Sequence, residues 1–156
     1  MSPAVHQLHE LPAWACTLLR EAPVARLATA NADGDPHLVP ICFATGELHL
    51  YSAVDRKPKR HRRLERLENL RNRPRACLLV DVYHDDWRRL AWIRVDATAA
   101  ILEEGDERRR ALALLTRKYP QYRDMQLERD AGPVIRLTPD RLSFWRADSS
   151  AGGAQE

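Results

Sequence analysis

Long apolar runs are missing from this sequence. No stretch of about 18 consecutive apolar residues occurs, and the N-terminus lacks the apolar segment of a signal peptide. Internal repeats and low-complexity segments are missing as well. We therefore expect a soluble, cytoplasmic protein with no membrane partner.

Cysteine is scarce and has no ligand-like spacing. The chain contains three cysteines, Cys16, Cys42 and Cys77, each among apolar neighbours. They form no C-x-x-C pair and no Cys/His pattern typical of a metal site. We expect reduced core residues and no bound metal.

Several common catalytic motifs are not found. The sequence has no G-x-S-x-G, H-E-x-x-H, P-loop or Rossmann glycine pattern. This argues against the commoner hydrolases, metalloproteases and nicotinamide-domain enzymes. His84, Asp85 and Asp86 are polar, but consecutive residues point their side chains in different directions. We interpret them as a loop with a capping aspartate.

What the sequence does contain is enough material for one core. In 156 residues, 44% are apolar, which predicts a single domain. We place that domain at residues 1–148. The small polar residues that follow, 149–156, predict a disordered tail.

Positive charge is concentrated in one segment. The formal net charge is only +3. Residues 56–75, however, contain ten Lys and Arg residues against two acids, Glu65 and Glu68. Only three lysines in the whole chain and few aromatic residues beside these arginines argue against a nucleic-acid partner.

The start of the cationic segment resembles an anion-binding site. A predicted strand ends near Ser52, and Pro58 suits the first turn of a helix over residues 58–72. Unpaired N–H groups at a helix start and nearby cationic side chains favour a phosphate or another polyanion. The sequence therefore predicts that an anion binds at residues 51–60, where the cations are Arg56, Lys57, Lys59 and Arg60.

Periodicity predicts a mainly β fold with peripheral helices. Apolar spacing indicates helices at residues 11–21, 58–72 and 104–119. The loops between most strands are too short for parallel crossovers, which favours an antiparallel barrel. The seven predicted strands cover residues 24–29, 37–43, 47–54, 76–83, 90–102, 134–138 and 141–145.

Five short motifs occur in an order that resembles a known family. They are Ala28-Thr29-Ala30 before Asp33-Gly34-x-Pro36-His37-x-Val39-Pro40, then Tyr51-Ser52-x-x-Asp55-Arg56-Lys57, Asn72-x-x-Pro74-x-Ala76, Asp86-Trp87-x-x-Leu90-x-Trp92-x-Arg94, and Arg136-Leu137-Thr138-Pro139-x-x-Leu142-x-Phe144-Trp145. Over residues 24–146 the chain resembles the split β-barrel flavin-binding proteins typified by pyridoxamine 5′-phosphate oxidase. Within them it is most similar to the branch that uses the deazaflavin coenzyme F420.

The resemblance implies a split antiparallel β-barrel of the FMN-binding type and a set of cofactor-binding residues. In relatives, the hydroxylated strand end and the following Arg-Lys hold the cofactor phosphate, and the second strand borders the cofactor ring. Family members form homodimers with the cofactor at the interface, so a partner chain can supply residues. The implied positions are Val39, Pro40, Ile41, Ser52, Arg56, Lys57, Lys59, Arg60, Trp92 and Arg94.

Two classes of function remain open at this point. The first is an oxidoreductase that uses coenzyme F420 for hydride transfer to an unsaturated small-molecule substrate, with an FMN-dependent oxidase or reductase as its alternative. The second is a non-catalytic cofactor-binding or storage protein. A cofactor that carries the chemistry explains why no catalytic dyad is evident. The sequence assigns no catalytic residue.

Overall fold

The computed structural model describes residues 2–54 and 64–147. No helix in this part of the chain is long and apolar enough to cross a membrane. The helices are α1 Ala13–Glu21, α2 Glu65–Asn72, α3 Asp106–Lys118, α4 Pro120–Asp124 and α5 Leu127–Asp130, with 3₁₀ turns at Leu8–Glu10 and Trp87–Arg89. The strands are β1 Ala4–Val5, β2 Ala25–Ala30, β3 Pro36–Ile41, β4 Ala44–Thr45, β5 Leu50–Ala53, β6 Arg75–Val82, β7 Ala91–Leu102 and β8 Val134–Arg146.

The sheet curls because of one short connection. Its strand order is β3-β2-β6-β7-β8-β5-β4, with β1 paired to β8, and every pairing is antiparallel. β3 and β4 therefore lie at opposite ends of the order, although only Cys42 and Phe43 separate them in sequence. A two-residue link can span those ends only if the sheet closes on itself. The antiparallel barrel with peripheral helices is confirmed, and it is split because β3 and β4 are not paired with each other.

The barrel interior is the main hydrophobic core, and a second, smaller core lies outside it. Side chains from β2, β5, β6, β7 and β8 fill the interior together with the link residue Phe43, which is 0% exposed. Helix α3 covers the outer face of β5 and β8 and forms the second core. All four residues of β5 are consequently buried. The second core contains Tyr51, Ala111, Leu112, Leu115 and Val134.

The last strand corrects one prediction. Residues 134–138 and 141–145 were expected as two strands separated by Pro139 and Asp140, but β8 is continuous through both. Ala97 pairs with Pro139 and Asp96 with Arg141, so Asp140 is the extra residue of a β-bulge. The bulge accommodates a proline that cannot donate to the ladder. The Asp140 carboxylate accepts a hydrogen bond from Thr98 Oγ1 at 2.8 Å.

Element boundaries account for the other differences. The first helix begins at Ala13 and not at residue 11, because Pro12 occupies the N-cap position. The third predicted strand shortens to Leu50–Ala53, since Gly46 N–H donates to the His49 carbonyl and closes a turn there. The sequence prediction missed β1, β4, α4 and α5, which are all five residues or shorter. The predicted start of a helix at Pro58 and the predicted tail over residues 149–156 lie outside the described residues.

Candidate cofactor site

Both ends of the cationic segment are attached to the barrel. At one end, Val54 N–H donates to the Pro133 carbonyl at 3.0 Å, and the Val54 carbonyl accepts from Gly132 N–H at 2.9 Å. At the other end, the buried Asn69 side chain of α2 donates to Thr29 Oγ1 at 3.0 Å. These contacts hold the end of β5 and helix α2 in place. The cations Arg56, Lys57, Lys59 and Arg60 lie outside the described residues, so their convergence on an anion stays a prediction.

Ser52 is placed at the seam of the split barrel. It is 2% exposed, and its hydroxyl donates to the Cys42 carbonyl at 2.8 Å. This hydrogen bond joins β5 to the two-residue link that follows β3. A hydroxyl has one proton to donate. In this arrangement that proton is used by Cys42, and contact with a phosphate would require the hydroxyl to rotate.

Strand β3 presents two different faces. Ile41 is buried and Val39 packs against the core, whereas Pro40 is exposed on the outside of the barrel. Among the strands in the described ranges, β3 pairs only with β2, so half of its backbone groups point away from the sheet. A proline is tolerated at such an edge. The contact of residues 39–41 with a cofactor ring stays a prediction.

Trp92 and Arg94 lie on the outer face of the barrel. Their neighbours Ile93 and Val95 on β7 are fully buried, so the alternation along the strand directs Trp92 and Arg94 outward. Arg94 is paired to Asp96 at 2.9 Å. Three strand spacings separate Arg94 from Pro40 along one register row, roughly 14 Å. Within one chain the structure does not bring Trp92 and Arg94 together with Ser52.

Arg66, in the first turn of α2, has features of an anion ligand. Its Nε atom is buried and has no hydrogen-bond partner among residues 2–54 and 64–147. Burial lowers the pKa of its guanidinium, and only Tyr122 opposes this shift. A buried guanidinium nitrogen without an acceptor is costly unless an anion accepts its hydrogen bond. This unpaired nitrogen, within the cationic segment, fits an anionic cofactor.

Sequence reasoning missed a buried lysine beside the barrel seam. Lys118 Nζ lies 3.9 Å from the centroid of the Phe43 ring and has no hydrogen-bond partner within the described part of the chain. Burial lowers the pKa of this amine to about 8. Lys118 occupies the last turn of α3, where lysine is common as an exposed capping cation. No local signal distinguished it from such a residue.

Three other sequence interpretations can be compared with the structure. The Asp86 carboxylate accepts from Arg88 N–H at 3.2 Å and caps the 3₁₀ turn Trp87–Arg89, which confirms the capping aspartate. No group of three or more His, Cys, Asp or Glu side chains in the described ranges is placed to hold a metal ion. The three cysteines are free thiols, but each is of intermediate exposure, so the prediction that they are core residues is wrong.

Comparison with known proteins supplies the family context. A family model described as pyridoxamine 5′-phosphate oxidase matches residues 13–146. No curated protein matches the chain in sequence. Since the family match covers most of the chain, it applies to the barrel as a whole and to the segment between β5 and α2.

Three solved structures illustrate the range of similar proteins. A conserved hypothetical protein from Mycobacterium tuberculosis has 20% identity and a TM-score of 0.73, with 94% of this chain and 91% of that chain covered. A FAD-binding protein from Mesorhizobium loti has 25% identity and a TM-score of 0.64, with 86% and 94% covered. The haem storage protein of Vibrio cholerae has 17% identity and a TM-score of 0.64, with 81% and 87% covered. At 20% and 17% identity, the proteins from M. tuberculosis and V. cholerae support the fold alone.

Proposed function

This chain belongs to the pyridoxamine 5′-phosphate oxidase family, and we propose that it is an oxidoreductase that uses coenzyme F420 for hydride transfer to an unsaturated organic substrate. The cationic segment between β5 and α2 carries this proposal. One compact phosphate, as in FMN, needs few cations, whereas coenzyme F420 has a phosphodiester and a polyglutamate tail. Arg66, whose buried Nε has no hydrogen-bond partner among the described residues, extends the cationic surface beyond a single phosphate.

The bound cofactor would supply the hydride chemistry, and the protein would supply its placement. In this proposal Arg56 and Lys57 bind the phosphate, while Lys59 and Arg60 contribute further charge. The backbone of residues 39–41 borders the ring. The hydrophobic interior behind β3 excludes water from that side, which favours productive orientation over side reactions.

The FMN-dependent alternative has its own support. A FAD-binding protein has the same fold at 25% identity, and flavins share the tricyclic ring and phosphate. Non-catalytic binding also has a counterpart, because a haem storage protein has this fold. Coenzyme F420 and FMN differ in the number of cationic side chains that each would contact. Variants that remove arginines can therefore distinguish the two cofactors.

Binding of coenzyme F420 should strengthen with tail length and weaken steeply with salt. The expected cause is contact of the tail with Arg62, Arg63 and Arg66, whose attraction is screened over about 8 Å at physiological ionic strength. The triple variant Arg62→Ala, Arg63→Ala, Arg66→Ala should bind F420 at least roughly tenfold more weakly at low salt and lose the dependence on tail length. Fluorescence titration at two salt concentrations, with FMN in parallel, measures both effects.

The matched control removes three arginines elsewhere. Arg109, Arg123 and Arg129 are exposed on α3, α4 and α5, so their replacement by alanine changes the net charge equally. This control variant should keep F420 affinity within about twofold of wild type. Tighter binding of FMN than of F420, or F420 affinity indifferent to both tail length and the triple change, would favour the FMN alternative.

We further propose a homodimer formed through the outer face of the barrel. Leu38 on β3, Leu79 on β6 and Trp145 on β8 are 66%, 37% and 41% exposed, and alternation places all three on this face. Trp92 lies on the same face. Exposed apolar side chains in such number on one sheet face favour association. A second copy there could supply its Trp92 and Arg94 to the cofactor cleft, which a single chain leaves remote.

Leu79→Glu is expected to convert the homodimer into a monomer. Leu79 lies in a central strand of the outer face, and a carboxylate there would lose its hydration in an interface of more than about 1,000 Å². Its cross-strand neighbours Arg26 and Arg94 do not offset this cost, because they are already paired with Asp81 and Asp96. Light scattering at micromolar concentration measures the mass. Leu48→Glu is the control, since Leu48 is 59% exposed but lies on the turn before β5. A wild-type monomer that still binds cofactor tightly would refute the dimer.

A further inference from the structure

A groove of about 640 Å³ lies between helix α3 and the turn that joins β4 to β5. We call it the α3 groove. Its lining includes the apolar residues Leu48, Ala113 and Leu114 and the cationic residues Arg110, Arg117 and Arg136. Residues 110, 113, 114 and 117 recur at helical spacing, so one face of α3 forms one complete side of the groove.

The α3 groove is separated from the candidate cofactor site by the sheet. Successive side chains of β5 point to opposite faces. Ser52 faces the barrel interior and reaches Cys42, whereas Tyr51 faces α3 and lines the groove. A ligand in the groove would therefore contact neither the barrel seam nor residues 39–41.

A hydrogen-bonded network forms the floor of the groove. Tyr51 donates from its hydroxyl to Glu107 Oε1 at 3.0 Å, and Arg136 donates to Glu107 Oε2 at 2.9 Å. Burial raises the pKa of Tyr51 to about 12, and the hydrogen bond to Glu107 acts in the same direction. Tyr51 thus stays a donor at neutral pH. Both oxygens of Glu107 are occupied, so its charge is compensated inside the network.

The rest of the groove has an excess of positive charge. Arg110 and Arg117 make no ion pair with any residue in the described ranges 2–54 and 64–147, and Glu47 is the one other acid in the lining. Arg136 also has a buried Nε without an acceptor in these ranges. Burial, and then the charge of Arg136, lower the pKa of His49. A neutral imidazole adds a possible donor to the groove and no charge.

We propose that the α3 groove binds a small organic carboxylate with an apolar body. The carboxylate would be held by Arg110 and Arg117, because a guanidinium fork matches two carboxylate oxygens. The apolar body would lie against Leu48, Ala113 and Leu114. The volume is within the range of small-molecule sites. This site is independent of the proposed function, because its lining contains none of the positions assigned to the cofactor, and Tyr51 reaches it from the face of β5 opposite Ser52.

Benzoate serves as the probe ligand. Benzamide, which has a similar shape but no charge, serves as the control ligand. Benzoate should bind saturably by isothermal titration calorimetry, at least about tenfold more tightly than benzamide. Amide chemical shifts in a ¹⁵N spectrum should change for residues 46–51 and 107–117. The double variant Arg110→Ala, Arg117→Ala should weaken benzoate binding at least about tenfold and leave benzamide unchanged.

The control variant is Arg109→Ala, Arg123→Ala, which removes the same charge from exposed positions outside the groove. It should bind benzoate as the wild type does. Equal loss in both double variants would mean attraction to net charge only and would overturn the proposal. So would equal affinity for benzoate and benzamide, unsaturable binding, or shift changes confined to residues outside the groove. Ala113→Phe, which fills the groove without a charge change, should also abolish binding, and full binding by a folded Ala113→Phe variant would refute the site.

Discussion

Replacing Lys57 with alanine is expected to weaken binding of coenzyme F420 by roughly ten- to hundred-fold, since one charge-assisted contact is worth about 1.5 to 3 kcal/mol. In the proposed site Arg56 and Lys57, three and four positions after the last residue of β5, bind the cofactor phosphate. Titration of apo-protein with cofactor at one moderate salt concentration measures the dissociation constant. FMN should lose affinity to a similar extent, because both cofactors carry a phosphate at this position.

The control for this variant is Arg123→Ala. Arg123 is an exposed cation on α4, so its removal lowers the net charge by the same amount. If both variants bind F420 as the wild type does, Lys57 does not contact the phosphate and the assignment fails. The result does not depend on the tail contacts of Arg62, Arg63 and Arg66, so the phosphate site and the tail site can be tested separately.

Replacing Phe43 with alanine should lower the free energy of unfolding by about 3 to 5 kcal/mol, the usual cost of removing a buried phenyl ring. Phe43 is 0% exposed and lies in the two-residue link that closes the sheet. Its N–H donates to the Tyr119 hydroxyl at 3.1 Å, and its ring covers Lys118 Nζ. The variant therefore also removes the ring that faces a buried amine.

Chemical denaturation measures this change in the free energy of unfolding. All samples have the same protein concentration, so that any dimerisation contributes equally to each. Leu48→Ala is the control, because Leu48 is an apolar residue that is 59% exposed. It should change the free energy of unfolding by less than about 0.5 kcal/mol. A loss below about 1 kcal/mol for Phe43→Ala would show that the link does not hold the barrel closed.

The strands and turns with strong local signals were predicted correctly. The β2–β3 hairpin follows from residues 31–36, where Asn31 Oδ1 accepts from the N–H groups of Asp33 and Asp35. Gly34 has a φ of 89°, which a glycine adopts without strain. The apolar residues of α2 were also identified, and Leu67 and Leu70 are buried. In these cases the interactions that decide the structure lie within a few residues of one another.

The elements that were missed depend on distant contacts. β1 is two residues long and exists because it pairs with Ser143 and Leu142 at the other end of the chain. The continuity of β8 through Pro139 depends on the bulge opposite Asp96 and Ala97. No local pattern contains that information. The short helices α4 and α5 are likewise held by packing beside α3, with Leu127 buried in the second core.

The candidate site divides in the same way. Its charge was evident from the sequence, because ten cations within residues 56–75 need no tertiary structure to be counted. The hydrogen bond of the Ser52 hydroxyl could not be predicted from the sequence, because its acceptor is the carbonyl of Cys42, ten positions earlier. The sequence also did not predict which face of the barrel Trp92 and Arg94 occupy. That became clear only from the burial of their neighbours Ile93 and Val95 on β7.

Periodicity, turn residues and charge are properties of neighbouring residues, so the chain's own order of amino acids was enough to predict the antiparallel class and the location of the cationic segment. The closure of the sheet at residues 42–43 and the α3 groove could not be predicted this way. Each depends on which distant strands pair, in what register, and on which side of β5 a helix packs. A one-residue change of register would exchange the roles of Tyr51 and Ser52, because successive side chains of a strand face opposite sides of the sheet.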